Sequence, residues 1–362
     1  KTMKFILKII ISLVVVSILI FGCVFILRTS NSFSIVNDSQ TQDFVREVPV
    51  DIKKIEIKPK EDIEIKMITV GDIMLSRMVE QKMIGYNDYK YPFLKTAEVT
   101  NKADIVFGNL ETTIIEGRII KSGEMIFRTD PKAIEGLKFA GFNILSIANN
   151  HIMNFGKAGL ESTIRNLDKN NISHIGAGVG IKDIYKLVRK DIKGTKFAFL
   201  GFTYNSDQRR SSDGKIYGVA NMEIEKMKEN VGKAKLENDV VIVSMHAGTE
   251  YKVSSSLFQE NFARCAIDAG ADLVIGGHPH VVQNIEKYKE GYIFYSLGNF
   301  VFDQMWSNET RLGVIAEIVF KDKKIDNINF IPIKSYDYSQ PAILEGVEAE
   351  MILERLKLKL TL

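Results

Sequence analysis

The chain contains the stretch Ile275-Gly276-Gly277-His278-Pro279-His280, in which one proline separates two imidazoles. Residues Asp272–Ile275 are typical of a buried strand, and the two glycines allow the backbone to turn sharply as it leaves the sheet. Because proline fixes its own φ and favours extended geometry in the preceding residue, we expect the spacing of the two rings to be preset. The pair is therefore either a metal-binding feature or a local hydrogen-bonding one.

Other polar residues also follow short apolar runs, and this favours metal binding over local hydrogen bonding. They are Asp72, Glu111, Asn150 with His151, and His246. Open α/β sheets bind ligands beyond the carboxyl ends of their strands. We therefore expect these side chains and the two histidines to gather at one edge of a sheet.

Length and composition indicate a globular protein. The chain has 362 residues, of which 45% are hydrophobic and 26% charged, so it can bury a full core. The net charge of +3 comes from 48 basic and 45 acidic residues spread along the chain. No concentrated basic face favours nucleic acid as a partner.

The N-terminal region predicts attachment to a membrane. Ile9–Leu27 carries no charge and follows several lysines; as a helix it would be roughly 28 Å long, enough to cross a bilayer. We predict a transmembrane anchor over residues 5–27, with the main domain outside the cytoplasm, and a polar spacer over residues 28–62. The alternative is a lipoprotein signal, in which Cys23 would be acylated.

From residue 63 onward, short apolar runs alternate with helical stretches, a pattern typical of the α/β class. We predict a mixed sheet, or two sheets packed together, with helices outside, forming one domain over residues 63–335. Near the C-terminus, Val347–Leu360 has the pattern of an amphipathic helix, so residues 336–362 are predicted to form a helical tail.

The donor types at the strand ends suit a divalent cation. Carboxylate, amide and imidazole groups bind manganese, iron, zinc or magnesium, and no thiolate is present among them. A structural zinc site would use closely spaced cysteines. Ligands gathered from about 200 residues of chain are instead typical of a catalytic centre, in which one or two ions act on a substrate.

Six linked motifs, found in order over residues 65–335, resemble the CapA family of poly-gamma-glutamate capsule biosynthesis proteins. This family belongs to the calcineurin-like metallophosphatase superfamily. The motifs are Gly71-Asp72-Ile73-Met74-Leu75, Gly108-Asn109-Leu110-Glu111, Ala148-Asn149-Asn150-His151 with Gly156, His246-Ala247-Gly248-Thr249-Glu250-Tyr251, Gly277-His278-Pro279-His280 with Gln283 and Glu286, and Tyr295-Ser296-Leu297-Gly298-Asn299-Phe300.

The resemblance implies a four-layer fold, with two mixed sheets face to face and helices outside, and a site for two metal ions. It implies the following roles: Asp72 as a ligand from the first loop, Asn150 and His246 as ligands of the second metal, His278 and His280 as ligands from the last loop, and His151 as the acid beside the substrate. Asn109, Arg128, Asn149, Glu250 and Asn299 are candidates for binding substrate or supporting the site.

The chain departs from the superfamily pattern at three positions. Met74 stands where the first motif has a histidine, Asn109 replaces the bridging aspartate, and Asn149 replaces a glycine. Glu111, two residues after Asn109, is the candidate to extend its carboxylate into the metal site in place of that aspartate. Because only Asp72 and Glu111 are anionic among the ligands, we expect one firmly held metal and a second held weakly or with substrate.

Two functions follow from the resemblance and the ligand set. The first is a membrane-anchored accessory protein in the synthesis or export of an anionic polymer such as poly-gamma-glutamate, working beside membrane-embedded synthase subunits. The second is a metal-dependent phosphoesterase outside the cytoplasm. The chain has no glycine-rich nucleotide-binding loop, so we do not expect it to activate glutamate itself.

Overall fold

The computed structural model describes residues 63–204, 208–210, 214–356 and 359–361. The predicted anchor at 5–27, including Cys23, and the predicted spacer at 28–62 lie outside these residues. Within the described part of the chain, none of the helices combines the length and apolar character that a membrane crossing needs.

The strands are short to medium in length and mostly buried. They are β1 (Ile65–Ile73), β2 (Ile105–Leu110), β3 (Thr113–Ile114), β4 (Arg128–Thr129), β5 (Ile144–Ser146), β6 (Ser173–Ile175), β7 (Ala177–Val179), β8 (Val188–Ile192), β9 (Thr195–Thr203), β10 (Gln208–Arg210), β11 (Ile216–Val219), β12 (Val240–His246), β13 (Leu273–Gly277), β14 (Ile285–Tyr288), β15 (Gly291–Phe294), β16 (Asn299–Val301), β17 (Leu312–Lys321), β18 (Lys324–Tyr336), β19 (Gln340–Ile343) and β20 (Lys359–Thr361).

The α-helices lie between the strands. They are α1 (Arg77–Gly85), α2 (Ala97–Thr100), α3 (Ile134–Phe139), α4 (Gly156–Lys169), α5 (Ile181–Ile184), α6 (Ile224–Glu237), α7 (Leu257–Asp268), α8 (Asn308–Arg311) and α9 (Val347–Arg355). Helix α7 begins with a capping box, in which the Ser256 hydroxyl accepts from the Gln259 N–H and the Gln259 side chain accepts from the Ser256 N–H.

Two mixed sheets form the centre of the domain. The first has the order β19-β18-β17-β1-β2-β5-β6, with β16 paired to β1, and the second has the order β20-β14-β15-β13-β12-β9-β8. Strands β1, β2, β5 and β6 run parallel in the first sheet, as do β9, β12, β13 and β15 in the second. The inner strand β12 is buried along its whole length, which is why its first four residues, Val240–Val243, are all apolar.

The two sheets pack face to face through aromatic side chains. Phe107 stacks on Phe199 with ring centroids 6.1 Å apart, and Phe197 meets Phe320 edge-on at 5.1 Å. Each pair joins one sheet to the other. A second apolar cluster lies between the first sheet and helices α1, α3 and α4, and a third lies between the second sheet and helices α6 and α7. The predicted α/β arrangement of sheets between helices agrees with these layers.

The prediction of a helical tail over residues 336–362 is wrong in part. Strand β18 reaches Tyr336 and β19 pairs antiparallel with it; Asp337 and Tyr338, with φ of 50° and 61°, form the left-handed turn between them. Helix α9 ends at Arg355, and β20 pairs parallel with β14 in the second sheet. Sheet pairing overrides the helical pattern because these segments cover otherwise open sheet edges, β19 beside β18 and β20 beside β14.

Candidate metal centre

The carboxyl ends of parallel strands from both sheets meet at one edge, where the predicted ligands come together. Asp72 lies near the end of β1, His246 ends β12, and His278 follows β13. Asp72, Glu111 and His246 each offer a ligand atom within 4.8 Å of the others, and so do Glu111, His278 and His280. Glu111 belongs to both groups. All five side chains are buried.

The turn after β13 brings the two sheets into close contact. A Cβ atom on Gly277 would lie 2.5 Å from Asp72 Oδ1, so only glycine fits there. The expectation that Pro279 keeps His278 extended is wrong, because His278 has a φ of 94°. His280, on the other side of the proline, also has a positive φ, of 59°. Such left-handed conformations cost about 1–3 kcal/mol each and persist where the surroundings enforce them. Here the His278 N–H donates to Asp72 Oδ2 at 3.0 Å.

Glu111 is the strongest evidence that these residues fit a cation. Both of its carboxylate oxygens are buried and have no hydrogen-bond partner among the residues described. His151 Nε2 and His246 Nε2 lie 3.7 and 3.8 Å from Glu111 Oε1. Burial raises the pKa of Glu111 well above its ordinary value. The buried Nδ1 of His278 also lacks a partner within the same residues. A divalent cation would satisfy such groups, and the donor set suits one.

Asp72 and His280 form a buried charged pair. His280 Nδ1 lies 3.3 Å from Asp72 Oδ2 and 3.1 Å from Asn299 Oδ1. Burial opposes the charge on Asp72, but the hydrogen bond and charge of His280 outweigh it and lower the Asp72 pKa to about 2. Burial likewise opposes the charge on His280, but the carboxylates of Glu111 and Asp72 raise its pKa to about 9. Because Nδ1 is engaged, Nε2 of His280 is the atom available to a metal.

Amides orient the His246 ring. Asn109 Nδ2 lies 3.2 Å from His246 Nδ1 and donates to Asp72 Oδ1 at 2.8 Å, while Asn150 Oδ1 lies 2.9 Å from His246 Nε2. The Asn109 oxygen accepts from Asn149 Nδ2 at 3.1 Å. The amide of Asn109 therefore orients the side chains of Asp72, His246 and Asn149. The residue shared by the two ligand groups is Glu111, two positions later. Asn150 is half-buried and places its oxygen beside His246.

His151 lies against an aromatic ring at the edge of the centre. Its imidazole stacks on Phe127 with ring centroids 3.9 Å apart, and its Nδ1 lies 3.0 Å from Asn154 Oδ1. That oxygen also accepts from the Phe127 N–H, so Nδ1 carries the proton. Burial lowers the pKa of His151 to about 4. The ring is therefore neutral at pH 7, with Nε2 facing Glu111 as an acceptor.

Arg128 supports a loop. Its guanidinium donates to the carbonyls of Ile115, Gly117 and Arg118 at 3.2, 2.5 and 2.6 Å, and it pairs with Glu80 at 3.2 Å. It is only 2% exposed. Of the two roles considered for Arg128, supporting the site fits these contacts and binding substrate does not, because its donors are occupied.

Met74 and Asn149 also have structural roles. Met74 stands at the position where the superfamily motif has a histidine. Its side chain is fully buried in the apolar cluster beside the first sheet and packs there as a core residue. The Asn149 oxygen accepts from the N–H groups of His151 and Ile152 at 3.2 and 2.9 Å. Asn149 therefore shapes the turn that presents His151.

Sequence reasoning missed an aromatic layer under the centre. The Arg77 guanidinium lies 4.7 Å from the Phe127 ring centroid and 5.8 Å from that of Phe302. Phe127 stacks on His151, and Phe302 contacts the His280 ring at 4.7 Å. Nothing in the spacing of these residues signals this contact, because Arg77 begins helix α1 and the two rings come from separate loops before β4 and after β16.

Two half-exposed tyrosines stand beside the last pair of histidines. Tyr204 has its ring centroid 4.9 Å from that of His278, and Tyr251 has its own 6.1 Å from that of His280. Burial and then the carboxylate of Glu250 raise the pKa of Tyr251 to about 12, and the same two causes raise that of Tyr204. Tyr204 directly follows strand β9, so the strand-end rule used for the other residues could have found it.

Comparison with known proteins finds relatives along most of the chain. The family described as bacterial capsule synthesis protein PGA_cap matches residues 66–304. A capsule biosynthesis protein CapA from Bacillus anthracis is 30% identical over 308 residues, covering 83% of this chain and 74% of that protein. A PGA biosynthesis protein CapA from Bacillus subtilis (strain 168) is 32% identical over 284 residues, covering 78% and 74%. Among solved structures, a hypothetical protein from Thermus thermophilus aligns with a TM-score of 0.48 at 14% identity, covering 75% of this chain and 100% of that one.

Proposed function

The chain belongs to the PGA_cap family of bacterial capsule synthesis proteins, and from that membership we propose that it acts in the synthesis or export of an anionic capsule polymer of the poly-gamma-glutamate type. The support is the similarity to relatives named for capsule and PGA biosynthesis. In this role the chain works as an accessory to membrane-embedded synthase subunits.

The proposed location is the outer face of the cell membrane, with a single-pass anchor over residues 5–27. It is supported by the uncharged stretch Ile9–Leu27 and by the lysines before it. Acylation at Cys23 is the alternative anchor. Fractionation of cells expressing the full chain, with and without residues 1–28, tests the location: the full chain should pellet with membranes and be cut by external protease.

The proposed fold is metallophosphatase-like, with a divalent cation held by the cluster at the strand ends. Asp72, Glu111, His246, His278 and His280 would hold it, with Asn150 beside His246, and manganese, iron, zinc or magnesium would suit these donors. The observation that carries this proposal is the buried carboxylate of Glu111, which is shared by both ligand groups and has no hydrogen-bond partner in the part of the chain that the structure describes. When bound, the cation supplies positive charge that polarises a phosphoryl or carbonyl oxygen.

The residues of the chain have separate tasks around that cation. Asn299 and Asp72 hold the His280 ring through Nδ1, and Asn109 holds the His246 ring. Asn154 holds His151 as the neutral tautomer with a free Nε2. In that state His151 accepts a proton first, and it serves as the predicted acid once Nε2 is protonated.

The capsule role is tested in host cells whose own copy is deleted. Complementation with the full chain should restore the polymer, and Glu111→Gln should fail to restore it if the cluster is needed. Glu98→Gln is the matched control, because this glutamate is exposed on α2, away from the cluster. Full polymer yield with Glu111→Gln would show that the capsule role does not depend on the cluster.

A second candidate function is a metal-dependent phosphoesterase acting outside the cytoplasm. It is favoured by the arrangement of His151 Nε2 beside the shared carboxylate of Glu111. The full chain loaded with Mn²⁺ is assayed against a generic phosphodiester and phosphomonoester. Metal-dependent turnover that is lost in His151→Ala supports the enzyme, whereas bound metal without turnover supports the accessory role alone.

A further inference from the structure

Three aromatic side chains are exposed beside the histidines of the centre. Tyr204 is 41% exposed and lies against His278, and Tyr251 is 40% exposed and lies near His280. Trp306 is 62% exposed and meets Tyr251 edge-on, with ring centroids 4.7 Å apart. We refer to Tyr204, Tyr251 and Trp306 as the aromatic rim. Exposed aromatic groups next to polar ligand-binding residues are typical of a binding site.

Main-chain hydrogen bonds fix the backbone at the two tyrosines of the rim. The Tyr204 N–H donates to the His246 carbonyl at 3.1 Å, and the Tyr251 N–H donates to the Pro279 carbonyl at 2.8 Å. The same chain segments therefore position the metal-binding histidines and the tyrosines. The Tyr251 ring itself is held by the edge-on contact with Trp306 and by its hydroxyl, which accepts from Gln304 Nε2 at 3.4 Å. Less conformational entropy is lost when a ligand binds a ring that is already positioned.

The charge at the rim limits what can bind there. Glu250 directly precedes Tyr251 in the chain and is half-buried, and after burial its carboxylate is the next cause that raises the pKa of both tyrosines. A carboxylate at this position repels a chain that carries a carboxylate on every residue. It accepts hydrogen bonds from neutral hydroxyl groups, and such charge-assisted bonds are strong. The negative faces of the aromatic rings likewise favour C–H groups over anions.

We propose that the centre binds an oxyanion joined to a neutral, hydroxyl-bearing ring of the sugar type, with the ring packed on the aromatic rim. The oxyanion faces the cation, the C–H face of the ring packs on Tyr204 or Tyr251, and ring hydroxyls donate to Glu250. This inference rests on the metal centre proposed above. It names a ligand class that differs from the acidic polymer.

The test compares ligands on the full chain purified in detergent and incubated with Mn²⁺. Calorimetry measures the affinities for N-acetylglucosamine 1-phosphate, inorganic phosphate and a γ-linked tetraglutamate. We expect the sugar phosphate to bind about tenfold more tightly than phosphate, since burying the C–H face of the sugar against one aromatic ring contributes about this much. Trp306 is the single tryptophan of the chain, so sugar binding should also shift the tryptophan emission.

Variants locate the ring on the rim. Tyr251→Ala and Tyr204→Ala should each reduce the preference for sugar phosphate over phosphate by about five- to tenfold, while phosphate affinity changes less than about twofold. Tyr336→Ala is the matched control, because Tyr336 has the same 40% exposure on β18. If one rim variant fails to fold, the other decides.

Three results would overturn the inference: equal affinities for sugar phosphate and phosphate, a preference that survives both rim variants, or tighter binding of tetraglutamate than of sugar phosphate. Electron paramagnetic resonance of Mn²⁺ on the same preparation tests the metal centre separately. Absence of a bound Mn²⁺ signal together with loss of all ligand binding is failure of the metal centre, whereas bound Mn²⁺ with equal affinities for sugar phosphate and phosphate is failure of the ring preference alone.

Discussion

The main-chain N–H of His278 donates to Oδ2 of Asp72 at 3.0 Å, although 206 residues separate the two along the chain. This hydrogen bond ties the end of β13 in one sheet to the end of β1 in the other. It uses a carboxylate oxygen that also lies 3.3 Å from His280 Nδ1. The relative position of the two sheets therefore controls the geometry of the centre.

Gly277→Ala should separate Asp72 from the histidine turn. The added Cβ would lie 2.5 Å from Asp72 Oδ1, and overpacking of this kind costs about 1–3 kcal/mol. We expect a lower melting temperature and loss of Mn²⁺ binding, measured by calorimetry. Gly85→Ala is the control, because a Cβ on Gly85 meets nothing within 4 Å. Unchanged Mn²⁺ affinity in Gly277→Ala would contradict the close packing described here.

Glu111→Gln should stabilise the metal-free protein and abolish metal binding. Both Glu111 oxygens are buried without a hydrogen-bond partner among the residues described, and burial raises the pKa of this carboxyl well above its ordinary value, so replacing the ionisable group by a neutral amide lowers the cost of burial by about 1–3 kcal/mol. Since loss of a group that only orients a ligand weakens metals by 10–100-fold, loss of the shared ligand should exceed about 100-fold. Urea unfolding with a chelator, followed by Mn²⁺ titration, measures both effects. A destabilised metal-free variant would argue against a cation-binding role.

Metal affinity should rise with pH up to about 9. In the metal-free protein the His280 pKa is raised to about 9, so the ring must lose a proton before Nε2 can bind a cation. We expect the affinity for Mn²⁺ to rise by up to about tenfold per pH unit between pH 6 and pH 9, measured by competition with a chelator of known affinity. A flat profile over this range would show that His280 is not a ligand.

The Asp72–His280 pair also gives the metal-free domain a pH-dependent stability. The Asp72 pKa is lowered, so its contribution is present above pH 3.8 and is lost as the pH falls through about 2. The His280 pKa is raised, so its contribution is present below pH 6.5 and is lost as the pH rises through about 9. Denaturation with a chelator should therefore show the full contribution of the pair between about pH 4 and 6.5.

Glu80→Gln should remove a different pH dependence. Burial raises the pKa of Glu80 to about 7. The contribution of the protonated side chain to stability is therefore fully present below pH 4.5 and is lost as the pH rises through 7. Arg128 keeps its three carbonyl acceptors when the charge of Glu80 is removed. Between pH 5.5 and pH 8.5 the wild type should therefore lose roughly 2 kcal/mol of unfolding free energy that the variant keeps.

Urea unfolding at the two pH values measures this difference. Glu98→Gln, an exposed glutamate on α2, should show no change relative to the wild type between the same two values. An equal gain in both variants would mean that Glu80 titrates as an ordinary surface carboxyl.

The position of the centre was predictable because strand ends can be read from the sequence. Asp72, His246 and His278 each follow a short apolar run, and parallel strands place their carboxyl ends at one edge. Which side chains point inward was harder to predict. The direction of Glu111 depends on the segment that leaves β2, where its N–H donates to the Ile73 carbonyl at 2.8 Å, and the φ of His278 depends on a hydrogen bond to a residue far away in sequence.

The surroundings of the centre could not be predicted from local patterns. Arg128 is buried because three carbonyls of one loop surround it, and no spacing rule describes such a loop. The C-terminal residues differ for a related reason: the helical pattern of Val347–Leu360 is outweighed near its end by pairing with β14. Tertiary contacts decide both cases.

The single guanidinium of Arg77 contacts both Phe127 and Phe302, and these rings pack against His151 and His280. The two halves of the centre thus share one mechanical support. Phe127 and Phe302 also meet edge-on, with ring centroids 5.8 Å apart. A thermodynamic cycle of Phe127→Leu and Phe302→Leu should therefore be strongly non-additive. Any attempt to redesign this centre has to treat the two rings and the Arg77 guanidinium between them as one unit.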